Sequence, residues 1–193
     1  WNSPNGFSVQ TFDIYVDKDP GKATGERLLL PGRNAALGAE NGWDVAVWVE
    51  GWNSQVVTPD ANNPGNPIAD GGSTPNIRLY VDAGRKAITA AIPLEYFGKG
   101  NPAEWGYAIA VMSQEGYPTE GVWRIRDVNV EADQYKFGGG PNDSNHTRII
   151  DLALGEGHSL SQEEALSGYV SSNKSIGELT ADDYAIVPLT MVK

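Results

Sequence analysis

Trp43-Asp-Val-Ala-Val-Trp-Val-Glu-Gly-Trp52 alternates two sets of side chains, the period of a β-strand. Trp43, Val45, Val47 and Val49 point one way, and Asp44, Ala46, Trp48, Glu50 and Trp52 point the other. Upstream, Phe7-Ser-Val-Gln-Thr-Phe-Asp-Ile-Tyr-Val16 predicts a second strand. From Phe12 onward, its Phe12, Ile14 and Val16 set is the expected buried face. Asp17-Lys-Asp-Pro-Gly21 then breaks the chain. Downstream, residues 58 to 75 are rich in Pro, Gly, Asn and Asp and predict a long surface loop. Asn76 to Val81 and Ala87 to Ile92 predict a hairpin around Asp82-Ala-Gly-Arg85. Pro93 to Phe97 predicts one helical turn, and strands are expected at Trp105 to Ser113, Gly121 to Val130 and Arg148 to Leu152.

One helix is expected, Ser161 to Tyr169, where Ser161 and Glu164 have the spacing of a capping box. The chain should end in a strand, Tyr184 to Val192, whose Pro188 confines it to a sheet edge or a bulge. Many short strands with one helix predict an all-β fold, a β-sandwich with a short helix near the C-terminus. Residues 1–155 form the expected sandwich. Residues 156–193 form an extension carrying the helix and the last strand.

The 193 residues suffice to bury a core without covalent staples, and 40% hydrophobic with 20% charged residues marks a globular chain. The net charge of −11, with 14 Lys and Arg and no basic stripe, argues against nucleic acid and anionic membrane as partners. Neutral sugars, calcium or another protein remain. With no cysteine there is no disulfide, thiolate site or cysteine nucleophile.

His146 and His158 lie outside any metal-binding spacing, and Gly138-Gly-Gly140 lacks the helix of a phosphate loop. No acid sits in a catalytic motif, so the chain reads as a non-enzyme. Asp13, Asp17 and Asp19 alternate where a strand enters a glycine loop, and Asp127 is a candidate distant ligand. Together they form a candidate calcium site, because hard cations need several converging oxygens. The same residues also suit an ordinary turn with solvated acids. Trp48 and Trp52 share a strand face with Glu50, and with Tyr117 they are the candidate sugar contacts, since pyranose rings stack on aromatic faces. Trp1 is a further candidate, whereas Trp43, Trp105 and Trp123 lie in apolar strands and suit a core. Asn145-His-Thr147 and Asn173-Lys-Ser175 match the N-glycosylation pattern.

Several segments together resemble the C-terminal binding module of glucodextranase, a family also found on pullulanase-like and surface proteins. They are Trp1-Asn-Ser-Pro-Asn-Gly-Phe-Ser8, Asp13-Ile-Tyr-Val-Asp17, Leu30-Pro-Gly-Arg-Asn34, Trp48-Val-Glu-Gly-Trp52 and Trp105-Gly-Tyr-Ala108. Ser113-Gln-Glu-Gly-Tyr-Pro118, Val122-Trp-Arg-Ile-Arg-Asp-Val-Asn129, Gly138-Gly-Gly-Pro-Asn-Asp143 and Asn145-His-Thr-Arg-Ile-Ile-Asp151 complete the set. The resemblance implies a jelly-roll-like sandwich similar to family-9 carbohydrate-binding and DOMON-like modules. It also implies an extracellular, non-catalytic role on glucan-degrading or surface-layer proteins, with a neutral polysaccharide or cell-wall glycan as partner. The alternative is a structural subunit of a surface layer or filament that assembles through β-strands. The family pattern carries strands ahead of this chain's start. The strands next to Phe7–Val16 are therefore expected to lack a neighbour within the chain, which an upstream segment or another copy would supply.

Overall fold

The computed structural model describes residues 3–69, 72–118, 120–155 and 158–192. Its centre is strand β1, Gln10–Asp17, flanked by β3, Val45–Glu50, and β7, Gly106–Ser113. With β4, Ser54–Val57, β8, Asp151–Leu152, and β10, Thr190–Met191, these make a six-stranded antiparallel sheet in the order β10-β7-β1-β3-β4, β8 pairing with β7. A second layer covers one face. It consists mainly of loops, with a two-stranded parallel sheet of β2, Ala35–Leu37, and β9, Ala185–Val187. The hairpin β5, Arg78–Asp82, and β6, Ala87–Ala91, forms a separate two-stranded sheet. The fold is all-β with one short helix, α1, Gln162–Ser167.

Two expectations about β1 and its neighbours are corrected. β1 lies between β3 and β7, and each of these has a further neighbour within the chain, β4 beside β3 and β8 and β10 beside β7. The core face of β1 is also the opposite one: Thr11, Asp13 and Tyr15 are fully buried, while Phe12 and Ile14 are half-buried on the other face.

The register explains this inversion. Residues directly opposite in an antiparallel pair share a face. Across the sheet, one core row therefore runs Ala108, Tyr15, Ala46 and Val57, and the next runs Ala110, Asp13, Trp48 and Gln55. Alanines beside Tyr15 and Asp13 leave room above the sheet, and Arg33 fills it. Arg33 Nε and Nη2 donate to Asp13 Oδ2 and Oδ1 at 2.6 and 3.1 Å, with both side chains fully buried. Arg33 Nη1 donates to the carbonyls of Pro31 and Trp123. Tyr15 Oη donates to Asp13 Oδ2 and accepts from the Leu30 N–H. Burial opposes the Arg33 charge, but the adjacent Asp13 carboxylate outweighs it and raises the guanidinium above its ordinary pKa. Burial and the same carboxylate push the Tyr15 phenol well above its usual value.

Residues beyond 155 pack into this same core. Ala165 and Val187 join its apolar cluster, β9 pairs with β2, and β10 pairs with β7. The expected last strand is split at Pro188 and its halves join different sheets, with β10 on the edge. The capping box is present: Ser161 Oγ accepts from the Glu164 N–H and the Glu164 carboxylate accepts from the Ser161 N–H. The strand expected over 121–130 is reduced to bridges, Gln114 with Ile125 and Val128 with Phe137. Only Asp151–Leu152 is strand in the expected 148–152 segment. Asn145, in one glycosylation pattern, is fully buried, and its amide donates to the carbonyls of Val170 and Asp183. Among the described residues, no helix is long and apolar enough to cross a membrane.

Removing one partner of a buried ion pair strands the other, at a cost of roughly 3–5 kcal/mol. Arg33→Met should therefore lower the unfolding free energy by an amount in that range, seen as a lower urea midpoint, and adding Asp13→Leu should recover part of it. A midpoint for Arg33→Met equal to wild type would remove the pair from its central role.

A second expectation concerns acid. Hydrogen bonding from Lys174, then from the N–H and hydroxyl of Thr180, lowers the Asp183 pKa to about 2. A carboxylate depressed in the folded state stabilises it above the unfolded pKa of about 3.9. That contribution is lost as pH falls towards 2. Asp183→Asn should melt lower than wild type at pH 6, and the gap should narrow steadily as pH falls from about 4 towards 2; a gap independent of pH would contradict this.

Candidate functional site

Strand β3 leads from the core towards the surface. Ala46, Trp48 and Glu50 lie on its core face, and half-buried Trp52 follows at the turn into β4. Gly51 makes that turn possible. A side chain there would collide with the carbonyl of Phe7, whose segment packs on the turn and is tied to it by the Asn5 N–H on the Gly51 carbonyl. Where the covering layer ends, two clefts open.

The first, with a volume of about 680 Å³, is lined by Trp48, Glu50, Trp52, Asn53, Gln55 and Ser73 together with Trp123 and Arg124. Trp48 is held between two planar groups. The Trp123 ring stacks on it at 5.5 Å and 29°, and the Arg33 guanidinium lies 5.8 Å from its centre. Glu50 is fully buried and accepts from Arg124 Nε at 2.9 Å. Burial raises its pKa, and Arg124 pulls in the other direction. Arg124 has φ of +49°, a left-handed conformation that is unfavourable for a residue with a Cβ and is concentrated at functional sites. Trp48 Nε1 and Gln55 Oε1 are buried without a hydrogen-bond partner, on residues directly opposite each other across β3 and β4.

The second cleft, of about 520 Å³, adjoins the first and shares Trp52 and Arg124 with it. Its other walls include Gln114, Glu115, Tyr117, Arg126 and Tyr135. Tyr117 is 87% exposed and Tyr135 48%. Arg126 Nε stands 3.5 Å from Glu115 Oε2, and neither atom has a hydrogen-bond partner. The Glu115 N–H donates to the Arg124 carbonyl and the Arg126 N–H to that of Ser113, so this short ladder places both arginines.

The four candidate sugar contacts thus fall on two adjoining clefts: Trp48, Glu50 and Trp52 on the first, Trp52 and Tyr117 on the second. Their roles differ from the expectation. Trp48 and Glu50, at 7% and 1% exposure, are floor, and the less buried aromatic residues of the clefts are Trp52, Trp123, Tyr117 and Tyr135. Trp123, expected in the core, is half-buried at the cleft, whereas Trp43 and Trp105 are core residues. Trp1 lies outside the described residues. Gln55, Arg124 and Arg126 carried no sequence signal beyond being polar neighbours of tryptophans.

The candidate calcium ligands are not brought together as a group. Asp13 is held by Arg33, and Asp127 pairs with Arg148 at 2.6 Å and Lys136 at 3.8 Å. Asp17 and Asp19 do converge, with Asp44 as the third member, their oxygens within 4.8 Å of one another. Asp44 arrives through the register that sets Val16 against Val45. Asp17 accepts from the N–H groups of Asp19 and Gly42, Asp44 from that of Lys18, and Asp19 from the Thr24 hydroxyl. Burial raises the Asp17 pKa. His146, whose pKa burial and Arg148 lower, packs edge-on against Tyr169, and His158 Nδ1 accepts from the Leu160 N–H.

Over residues 1–180 the chain matches a family model described as the C-terminal binding module, SLH-like, of glucodextranase. The chain belongs to this family. No curated protein matches it. The glucodextranase binding-module match passes residue 155 and takes in α1, consistent with the shared core described above.

Proposed function

We propose that this module binds a neutral polysaccharide, an α-glucan or cell-wall glycan, at the two adjoining clefts, and that it does so outside the cell as a non-catalytic unit. The observation that carries the reading is the first cleft's combination of a ring face with hydrogen-bonding side chains around it. Trp123 offers a surface for a pyranose ring, and Asn53, Ser73 and Arg124 stand beside it with donors and acceptors for sugar hydroxyls. The family, a binding module of glucodextranase, supports a glycan ligand and a role apart from catalysis. The acids lining the clefts support the same role, because Glu50 and Glu115 each face an arginine rather than each other.

Losing one stacked ring should weaken binding by about 1–3 kcal/mol through lost burial and ring contact. On affinity gels over a panel of soluble glucans, Trp123→Ala should migrate as if unretarded on the glucan that slows wild type. Equal retardation of both proteins on every glucan would remove the first cleft from the site.

Calcium is a second, separate proposal, now for Asp17, Asp19 and Asp44. An ion bound only by the folded state raises Tm by mass action. Wild type is expected to melt higher in millimolar calcium than in chelator, and Asp44→Asn is expected to lose that increment. An unchanged wild-type Tm would exclude the site.

A further inference from the structure

Seven buried side-chain polar atoms lack a hydrogen-bond partner among the described residues, and four of them line the two adjoining clefts. Each such atom costs about 1–3 kcal/mol when left unmatched. Two of the four answer each other, since Arg126 Nε and Glu115 Oε2 form an ion pair at 3.5 Å, so the donor and acceptor left over are Trp48 Nε1 and Gln55 Oε1, both on residues of the first cleft.

Resting on the glycan reading above, we propose that the clefts are consecutive subsites for a single neutral glycan chain, each taking one sugar unit or a short run of units. Three observations carry this. The clefts are contiguous, with Trp52 and Arg124 serving as wall to both. Each volume, about 680 and 520 Å³, lies within the range of roughly 300–1,000 Å³ that encloses a small organic ligand. Each cleft also has its own aromatic surface, Trp123 in the first and Tyr117 with Tyr135 in the second.

The charges give the ligand's class. Among the described residues, the charged ones lining the clefts are Glu50, Arg124, Glu115 and Arg126, two of each sign, and they pair as Glu50 with Arg124 and Glu115 with Arg126. A uronic-acid or sulfated chain would meet no surplus of positive charge, whereas a hydroxyl-rich neutral chain is matched by the mixed donors and acceptors. The first cleft, with the buried donor and acceptor beneath stacked tryptophans, is the tighter subsite. The second, under an almost fully exposed tyrosine, adds affinity once a ligand is long enough to reach it.

Titration by NMR with linear glucose oligomers of one to six units, α-1,4- and α-1,6-linked in separate series, tests this. Affinity for one of the series should rise about tenfold or more from one unit to four and then level off. The Tyr117→Ala/Tyr135→Ala double variant should lose that gain while keeping wild-type affinity for the single unit. Both residues are exposed, and an unchanged melting curve will show that the fold survives. Affinity independent of oligomer length, or a double variant that retains the full gain, would overturn the second subsite and leave single-cleft binding standing. Binding of no oligomer in either series would overturn this proposal and the glycan reading together. Preference for an anionic oligomer of equal length would overturn the assignment to neutral chains.

Discussion

A charged pair sealed in an apolar core organises this module. Arg33 and Asp13 are both fully buried, and taking two charges out of water is costly unless their remaining donors and acceptors are also matched. Here they are matched almost completely. Asp13 receives Arg33 and Tyr15, and the rest of the Arg33 fork goes to the carbonyls of Pro31 and Trp123. The Arg33 carbonyl in turn accepts from the Arg148 N–H and the Thr147 hydroxyl. One residue, through its side chain and its carbonyl, thereby ties the central strand to the segments around Pro31, Trp123 and Thr147. A covering layer made mostly of loops has few ladder hydrogen bonds of its own, so this knot substitutes for the second sheet of a regular sandwich.

The two clefts depend on the same knot. Arg33 lies against one side of Trp48 and bonds the Trp123 carbonyl, while the Trp123 ring stacks on Trp48. The position of the cleft's aromatic wall is thus set from within the core. A ring held in place by packing and a backbone bond has little freedom left to lose when a ligand stacks on it, which favours affinity. Arg124, next in the chain, is held in its left-handed conformation with its side chain on buried Glu50. The strain at that residue is supported by the ion pair it makes.

Much of this was legible in the sequence, and what was not has a physical reason. Strands β3 and β7 and the capped helix α1 follow from local pattern alone, since alternation and the Ser161–Glu164 spacing involve neighbouring residues. The face of β1 was read backwards because hydrophobicity alone puts Phe12 and Ile14 inward. The partner that makes Asp13 acceptable in the core lies at Arg33, beyond a glycine loop. The convergence of Asp44 with Asp17 and Asp19 rests on the register between β1 and β3, which no local pattern encodes. The expected strand over 121–130 failed because its alternating residues serve two purposes. Val122 and Ile125 enter the core, while Trp123, Arg124 and Arg126 turn to the clefts.

The cross-strand rows show why the clefts lie at this end of the sheet. The row of Ala108, Tyr15, Ala46 and Val57 is closed by the covering layer and is mostly apolar. The next, Ala110, Asp13, Trp48 and Gln55, already carries a buried charge and two unmatched polar atoms. The third, Met112, Thr11 and Glu50, brings a second buried carboxylate, and one step further along β3 the chain emerges as Trp52. The same face of the same sheet thus grades from core to cleft within a few residues. Polar groups are tolerable inside only where something completes their hydrogen bonds. In the second row Arg33 does so for Asp13. In the third Arg124 does so for Glu50, reaching that carboxylate from the cleft wall, so the last buried charge on this face is matched by a residue of the cleft itself.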